Sequence, residues 1–293
     1  MRILVPLDGS QLAEYALGAA AQIARESSDS RIDLLTVITI STMAGTYDYP
    51  QVISYQVDSG IDTSSAYLHD IKHRQTLSQM NVEAHVEVGV PSDIICATAH
   101  ELKSDFILMT SHGRTGLARI AMGSVAEDVA RKSHIPTMIL KVSELTFAKN
   151  VSAEPFSLLI PLDGASLAET VLQPAATIAK VFHGAVTLLQ VIATTSHDPK
   201  KTEDLSHQSE AYLFSMQQRL QKEGFNVRVK TLWGDPVAQI QHYATDPAHG
   251  IDLIAMATHG RTGPEKLAFG SVAESVLHRV ALPVLLINPV NPD

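Results

Sequence analysis

The chain says nearly the same thing twice. Residues 111–116 read Ser-His-Gly-Arg-Thr-Gly and residues 258–263 read Thr-His-Gly-Arg-Thr-Gly, and each run is followed by Gly-Ser-Val-Ala-Glu, at 123–127 and 270–274. Nine residues separate Gly113 from Gly123 and nine separate Gly260 from Gly270. The opening repeats too: Leu4-Val5-Pro6-Leu7-Asp8-Gly9 matches Leu159-Ile160-Pro161-Leu162-Asp163-Gly164, and Leu-Ala-Glu follows each, at 12–14 and 167–169. A duplicated phrase of this length restricts the chain to two copies of one fold, so every element assigned in one half must have a counterpart in the other.

Asp8 and Asp163 lie 155 residues apart (163 − 8), whereas His112 and His259 lie 147 apart (259 − 112). Copy one is therefore longer by eight residues (155 − 147), and the expected place for them is 41–62, which has turn residues and no clear period. A linker composition falls over Ser143–Pro155, and the domains are set at 1–145 and 157–293 with 146–156 between them. A chain of 293 residues suits two domains, each large enough for its own core.

Each copy alternates short apolar runs with helical patterns. In copy one, strands are expected at Arg2–Leu7, Ile32–Ile40, Val82–Val88, Phe106–Thr110 and Thr137–Val142. Helices are expected at Gln11–Glu26, Ser64–Gln79, from Pro91 to about Leu102, and at Ser124–Lys132. Copy two has strands near 157–162, 185–193, 226–232, 252–257 and 284–288, and the mixed charges of 197–210 read as a solvated loop and helix start. Five alternations of strand and helix imply an α/β fold. Two tandem Rossmann-like domains are expected, each a five-stranded parallel sheet with helices on both faces.

In open sheets of this kind, ligands bind beyond the carboxyl ends of the strands, near the point where strand order reverses. Asp8 and Asp163 follow strand one. The His-Gly-Arg loops follow strand four, and Gly123-Ser124 and Gly270-Ser271 open the last helix. A helix N-terminus offers unpaired backbone N–H groups and a positive dipole end, which favour phosphate. The competing reading is a helix cap, because Ser124-x-x-Glu127 and Ser271-x-x-Glu274 both fit a capping box. A cap, however, has no use for a second glycine nine residues upstream. Asp8 and Asp163 likewise read either as turn formers or as carboxylates accepting from a ribose or base. Gly-x-x-x-x-Gly-Lys-Ser/Thr is absent, and no Gly-x-Gly-x-x-Gly follows strand one.

On these residues both halves resemble the universal stress protein family, across nearly the whole chain except the linker and 41–62. The family's adenine-nucleotide motif is Gly-x-x-Gly-x9-Gly-Ser/Thr. Its last three elements match Gly113, Gly123 and Ser124, and Gly260, Gly270 and Ser271, whereas Thr110 and Ala257 replace its first glycine. The resemblance implies a fold like the adenine nucleotide alpha hydrolases. It implies adenosine contacts at Asp8 and Val37 and at Asp163 and Val191. It also implies phosphate contacts at Gly113, Arg114, Gly123, Ser124 and Val125, and at Gly260, Arg261, Gly270, Ser271 and Val272. Ala257 belongs with the second site. A side chain in place of the first glycine would crowd the ribose or force a positive φ. Alanine adds only a methyl group, so copy two is expected to bind ATP or AMP more tightly.

The expected function is that of a tandem universal stress protein that binds ATP or AMP, with Mg2+ as a companion ion, in a regulatory or protective role. No residue set forms a catalytic centre, so slow ATP hydrolysis is the most expected of it. The other readings are an interaction scaffold with degenerate loops, and a true ATPase or nucleotidyl transferase on the same fold. With 22 basic against 31 acidic side chains, net −9, nucleic acid and anionic membranes are poor partners. Cys96 is the only cysteine, which excludes an internal disulfide and fits a cytoplasmic location. No signal peptide or membrane span is expected. The resemblance also suggests that the halves pair as a pseudo-dimer along their last strands, near 137–142 and 284–288, and that full chains form a homodimer. His112 and His259 are assigned to loop packing, and His69 and His73 to a solvated helix face. Cys96 is taken as a buried structural thiol.

Overall fold

The computed structural model describes residues 1–27, 29–39, 50–111, 122–141, 156–193, 199–258 and 269–289. The chain divides into two compact units, Met1–Val142 and Ser143–Asp293. Unit one runs β1 (Arg2–Pro6), α1 (Gln11–Arg25), β2 (Arg31–Ile38), α2 (Pro50–His73), β3 (Asn81–Val88), α3 (Pro91–Glu101), β4 (Phe106–Thr110), α4 (Ser124–Lys132) and β5 (Thr137–Leu140). Unit two runs β6 (Ser157–Leu162), α5 (Ser166–Glu169), α6 (Leu172–Val181), β7 (Ala185–Ile192), α7 (Pro199–Lys222), β8 (Asn226–Trp233), α8 (Pro236–Thr245), β9 (Leu253–Ala257), α9 (Ser271–Arg279) and β10 (Val284–Ile287).

Within each unit the strands are all parallel, in the order β3-β2-β1-β4-β5 and β8-β7-β6-β9-β10. Parallel strands need crossovers, and those crossovers place α1 and α2 on one face and α3 and α4 on the other. Burial on both faces explains why the strands read as unbroken apolar runs: Ile3, Leu4 and Val5 are all fully buried, as are Leu158, Leu159 and Ile160. The inner stripe of α1 is Ala13, Ala16, Ala19, Ala20 and Ala24, small residues that let the helix lie close to the sheet. Order reverses between β1 and β4, and again between β6 and β9, which sets one switch point in each half.

The expected elements of the sheet match those observed to within a residue or two at their ends. The long helix of copy one does not. It begins at Pro50, so 50–62 is helical rather than irregular, and it stops at His73 rather than Gln79. Gly60, which reads as a turn residue, is a packing residue. A Cβ there would lie 3.3 Å from the Ile38 side chain, so glycine lets α2 settle onto β2. Its counterpart α7 spans 199–222, and the extra length of copy one is split between the connectors before the helix (39–49 against 193–198) and after it (74–80 against 223–225). Residues 146–155 of the expected linker lie outside the described residues. Phe156 is buried against Phe182, with ring centroids 5.0 Å apart, and leads directly into β6.

One buried charge belongs to copy one alone. Asp33, fully buried in β2, accepts from Arg2 Nε at 2.6 Å and Arg31 Nε at 3.2 Å, and meets His85 Nε2 at 2.9 Å. Burial pushes its pKa up, but the hydrogen bonds from Arg2 and His85 and the two guanidinium charges outweigh that and leave it below the ordinary value. Thr187 stands at the matching place in β7.

Candidate functional site

Each half brings its candidate residues to the carboxyl end of its sheet. The register Ile3↔Phe106 and Leu4↔Ile107, continued upward, sets Asp8 level with Ser111, and Pro6↔Leu35 sets it level with Val37. In copy two, Leu159↔Ile254 and Leu162↔Gln190 set Asp163 level with Thr258 and Val191. The last helix is tied to the same level. Gly123 N donates to Ser111 O at 2.6 Å and Gly270 N donates to Thr258 O at 2.6 Å. Asp8, Val37 and Gly123-Ser124-Val125 therefore lie together at the carboxyl end of one sheet, and Asp163, Val191 and Gly270-Ser271-Val272 lie together at the carboxyl end of the other. Gly113, Arg114, Gly260 and Arg261, with His112 and His259, lie outside the described residues.

The strand-one turn is built as the turn reading expects. Asp8 Oδ1 accepts from Ser10 N at 2.9 Å and Ser10 Oγ at 2.6 Å, while Ser10 Oγ caps α1 by accepting from Ala13 N at 3.1 Å. In copy two, Asp163 Oδ1 accepts from Ala165 N at 2.9 Å. The residue between must take positive φ, and Gly9 (+81°) and Gly164 (+85°) do so without the Cβ penalty. The local turn holds each carboxylate at the crevice rim.

The capping box is not formed. In α4 the N-cap is Gly123 (φ −68°, ψ 142°) and in α9 it is Gly270 (φ −60°, ψ 136°), with no side-chain cap bond at either end. Ser124 and Ser271 are the first helical residues, one place too late to cap, and Glu127 instead holds Arg131 at 2.6 Å. Among the described residues, no side chain caps the N-terminus of either helix, and the first helical residue of each is an exposed serine. Neither glycine has positive φ, so backbone conformation does not require glycine at either place.

Thr110 and Ala257 end β4 and β9 in ordinary parallel register, Thr110↔Leu140 and Ala257↔Ile287, and neither is among the residues with positive φ. The feared backbone strain does not arise, because strand pairing fixes both residues in extended conformation. What remains is bulk: both side chains are buried, and threonine carries more of it than alanine.

Several site-end residues escaped the sequence reading. Glu14 accepts from Tyr67 OH at 3.1 Å and from Arg74 at 2.5 Å, which gives the repeated Leu-Ala-Glu its use. Burial, with Glu14 and Asp8 nearby, raises the Tyr67 hydroxyl's pKa. Tyr212 is raised for the matching reasons, burial first and then Glu169 and Asp163. Strand two adds a buried polar atom in each half, Thr36 Oγ1 and Gln190 Oε1, with no hydrogen-bond partner among the described residues. Lys141, just past β5, has its pKa lowered to about 8 by burial.

Elsewhere, His73 Nδ1 lies 2.7 Å from His69 O with both rings exposed, a helix-surface contact. Asp33, Glu83 and His85 have atoms close enough to share a cation, but Arg2 and Arg31 already neutralise that group. Cys96 is half-buried on α3, and burial pushes its thiol up to about 11. No described helix is long and apolar enough to cross a membrane.

Each half is thus a doubly wound parallel α/β unit whose strand order reverses once, with its candidate residues at the carboxyl end of the sheet beside that reversal. The profile of the universal stress protein family matches residues 1–141 and again 157–288. The chain belongs to the universal stress protein family and carries its domain twice. It is 32% identical over 142 residues to a universal stress protein of Methanocaldococcus jannaschii, a match covering 48% of this chain and 81% of that one. Among solved structures, a universal stress protein from Archaeoglobus fulgidus DSM 4304 superposes with a TM-score of 0.71 over 98% of both chains, at 23% identity. One from Pseudomonas aeruginosa UCBPP-PA14 gives 0.67 over 98% of this chain and 93% of its own, at 17% identity. At such identities these two speak for the fold.

Proposed function

We propose that the chain is a tandem adenine-nucleotide-binding protein with one site at the carboxyl end of each sheet, serving a regulatory or protective role in the stress response. The observation that carries this reading is the uncapped start of α4 and of α9. Glycine at N-cap and serine at the first helical position leave backbone N–H groups and the positive end of the dipole facing the crevice. Asp8 and Asp163 stand at the same level, where they suit the hydroxyls of a ribose. Backbone N–H groups and a hydroxyl would hold phosphates, and Mg2+ would ride with them. Ser10, whose hydroxyl donates to Asp8, is committed to capping α1, and on this reading hydrolysis of bound ATP is slow at most. A cytoplasmic location and a homodimer of full chains belong to the same proposal.

The test is mass spectrometry of small molecules released by denaturing the purified full chain, followed by calorimetric titration with ATP and AMP. Co-purified adenine nucleotide and saturable binding are expected. No released nucleotide and no heat of binding would favour the interaction-scaffold reading, for which the buried side chains of Thr110 and Ala257 at the crevice floor speak. ATP turnover well above background that is lost on changing Asp163 or Ser271 would favour an enzyme.

A further inference from the structure

Gln190 is the third residue from the end of β7, directly before Val191. Its side chain reaches back to the strand-one turn: its Nε2 lies 3.3 Å from where a Cβ on Gly164 would be. Its Oε1 is buried and has no hydrogen-bond partner among the described residues. On α7, the Tyr212 hydroxyl is also buried with no hydrogen-bond partner among the described residues, and burial, then the nearby Glu169 and Asp163, raise its pKa. An unmet buried amide acceptor costs stability, and its two ends exchange by a half-turn of the terminal torsion. A glutamine kept at such a cost beside the strand-one turn has an acceptor that a ligand at that turn can satisfy once the amide rotates.

Sheet geometry says which part of a ligand it would meet. Phosphates held at the start of α9 sit over the end of β9, and the order β9-β6-β7 puts Gln190 two strands away. Two strand spacings are about 10 Å. That suits the reach of a nucleotide from its phosphate, across a ribose at Asp163, to its base at β7. A glutamine amide pairs in two bonds with an adenine edge, accepting from the exocyclic amine and donating to the neighbouring ring nitrogen. That pair uses the adenine edge carrying the 6-amine and N7; on the same edge a 6-oxo base presents two acceptors, so the amide keeps only one of the two bonds whichever way it is turned.

Resting on the nucleotide reading above, we infer that Gln190 is the base-specificity residue of the second half, and that the first half, with Thr36 at the matching position, discriminates bases poorly. Threonine offers one hydroxyl and cannot form the two-bond pair.

Calorimetric titration of the full chain with ATP and with ITP, which differs from ATP at the 6-position of the base, tests this. In the wild type, one site should prefer ATP by about tenfold and the other should show little preference. Gln190→Leu should abolish that preference while leaving the melting temperature of the nucleotide-free protein unchanged or higher, because an unmet buried amide has been removed. Gln190→Glu keeps acceptors and loses the donor, so ATP should bind more weakly at that site while still preferred over ITP. Equal binding of ATP and ITP by wild type, a preference that survives Gln190→Leu, or ATP affinity unchanged in Gln190→Glu would overturn the inference. So would a lowered melting temperature in Gln190→Leu with unaltered ATP binding, the mark of a purely structural residue. A wild type that binds no ATP would overturn the nucleotide reading, and this inference with it.

Discussion

Ser271→Asp pits helix stability against the proposed phosphate site. Ser271 is the first residue of α9, exposed, with Gly270 as an uncapped N-cap. A carboxylate in the first turn interacts favourably with the helix dipole, by about 0.3–1 kcal/mol. In a protein this size that raises the melting temperature by one to three degrees or so. The same carboxylate would stand about 5 Å from a phosphate held by the first-turn N–H groups. At an effective dielectric of about 20, one unit charge at that distance repels another by about 3 kcal/mol, and the exposed position screens this to roughly half. Affinity for ATP at that site should therefore fall at least tenfold, roughly 1.4 kcal/mol. The assay is thermal unfolding of the nucleotide-free full chain, paired with calorimetric titration by ATP. Stability up and affinity down is the expected pair, and Ser124→Asp should do the same to the first half. Unchanged ATP affinity would refute the placement of phosphate at this helix. Loss of binding together with a lower melting temperature would mean only that α9 had been damaged.

Three further outcomes follow from other parts of the chain. Thr110→Gly should tighten ATP binding by the first half more than Ala257→Gly does by the second, since threonine is the bulkier of the two buried side chains at the matched position. A two-site titration of each variant reads this, and a larger gain from Ala257→Gly would reverse the ranking of the halves. Asp33→Asn should lower stability in urea by about 3 kcal/mol, at the low end for a broken buried ion pair because its cationic partners are partly exposed. Because Asp33 titrates lower when folded than its ordinary 3.8, the wild type should keep this contribution above that value and lose it as pH falls through the folded pKa, a loss the variant should not show. Cys96, with its thiol pushed to about 11, should be alkylated by iodoacetamide at pH 8 roughly a hundredfold more slowly than a free cysteine, and labelling at the free rate would contradict its burial.

Most of the scaffold was legible before any coordinates, because a strand buried on both faces must be apolar along its whole length. Phe106–Thr110 and Ser124–Lys132 coincide with their expected bounds for that reason and for the glycine that precedes α4. The start of α2 was hidden: Gly60 looks like a break in sequence and is a contact in three dimensions. Ser124-x-x-Glu127 looked like a capping box. The tie from Gly123 N to Ser111 O fixes the glycine in the cap position and moves the serine into the helix. The Glu14–Tyr67 pair could not be read at all, since its partners lie 53 residues apart on different helices.

The duplicated phrases by themselves determined that this chain is two copies of a parallel α/β unit, and which motifs follow the carboxyl ends of its strands. Hydrophobic periodicity and glycine spacing are local properties, written along the chain. Only the tertiary structure decided that the helix starts are uncapped and that Thr110 and Ala257 sit without backbone strain. It alone showed that a glutamine from strand two leans on the turn after strand one, its oxygen without a hydrogen-bond partner among the described residues. Those are facts about register and side-chain reach between segments distant in sequence, and no window along the chain contains them.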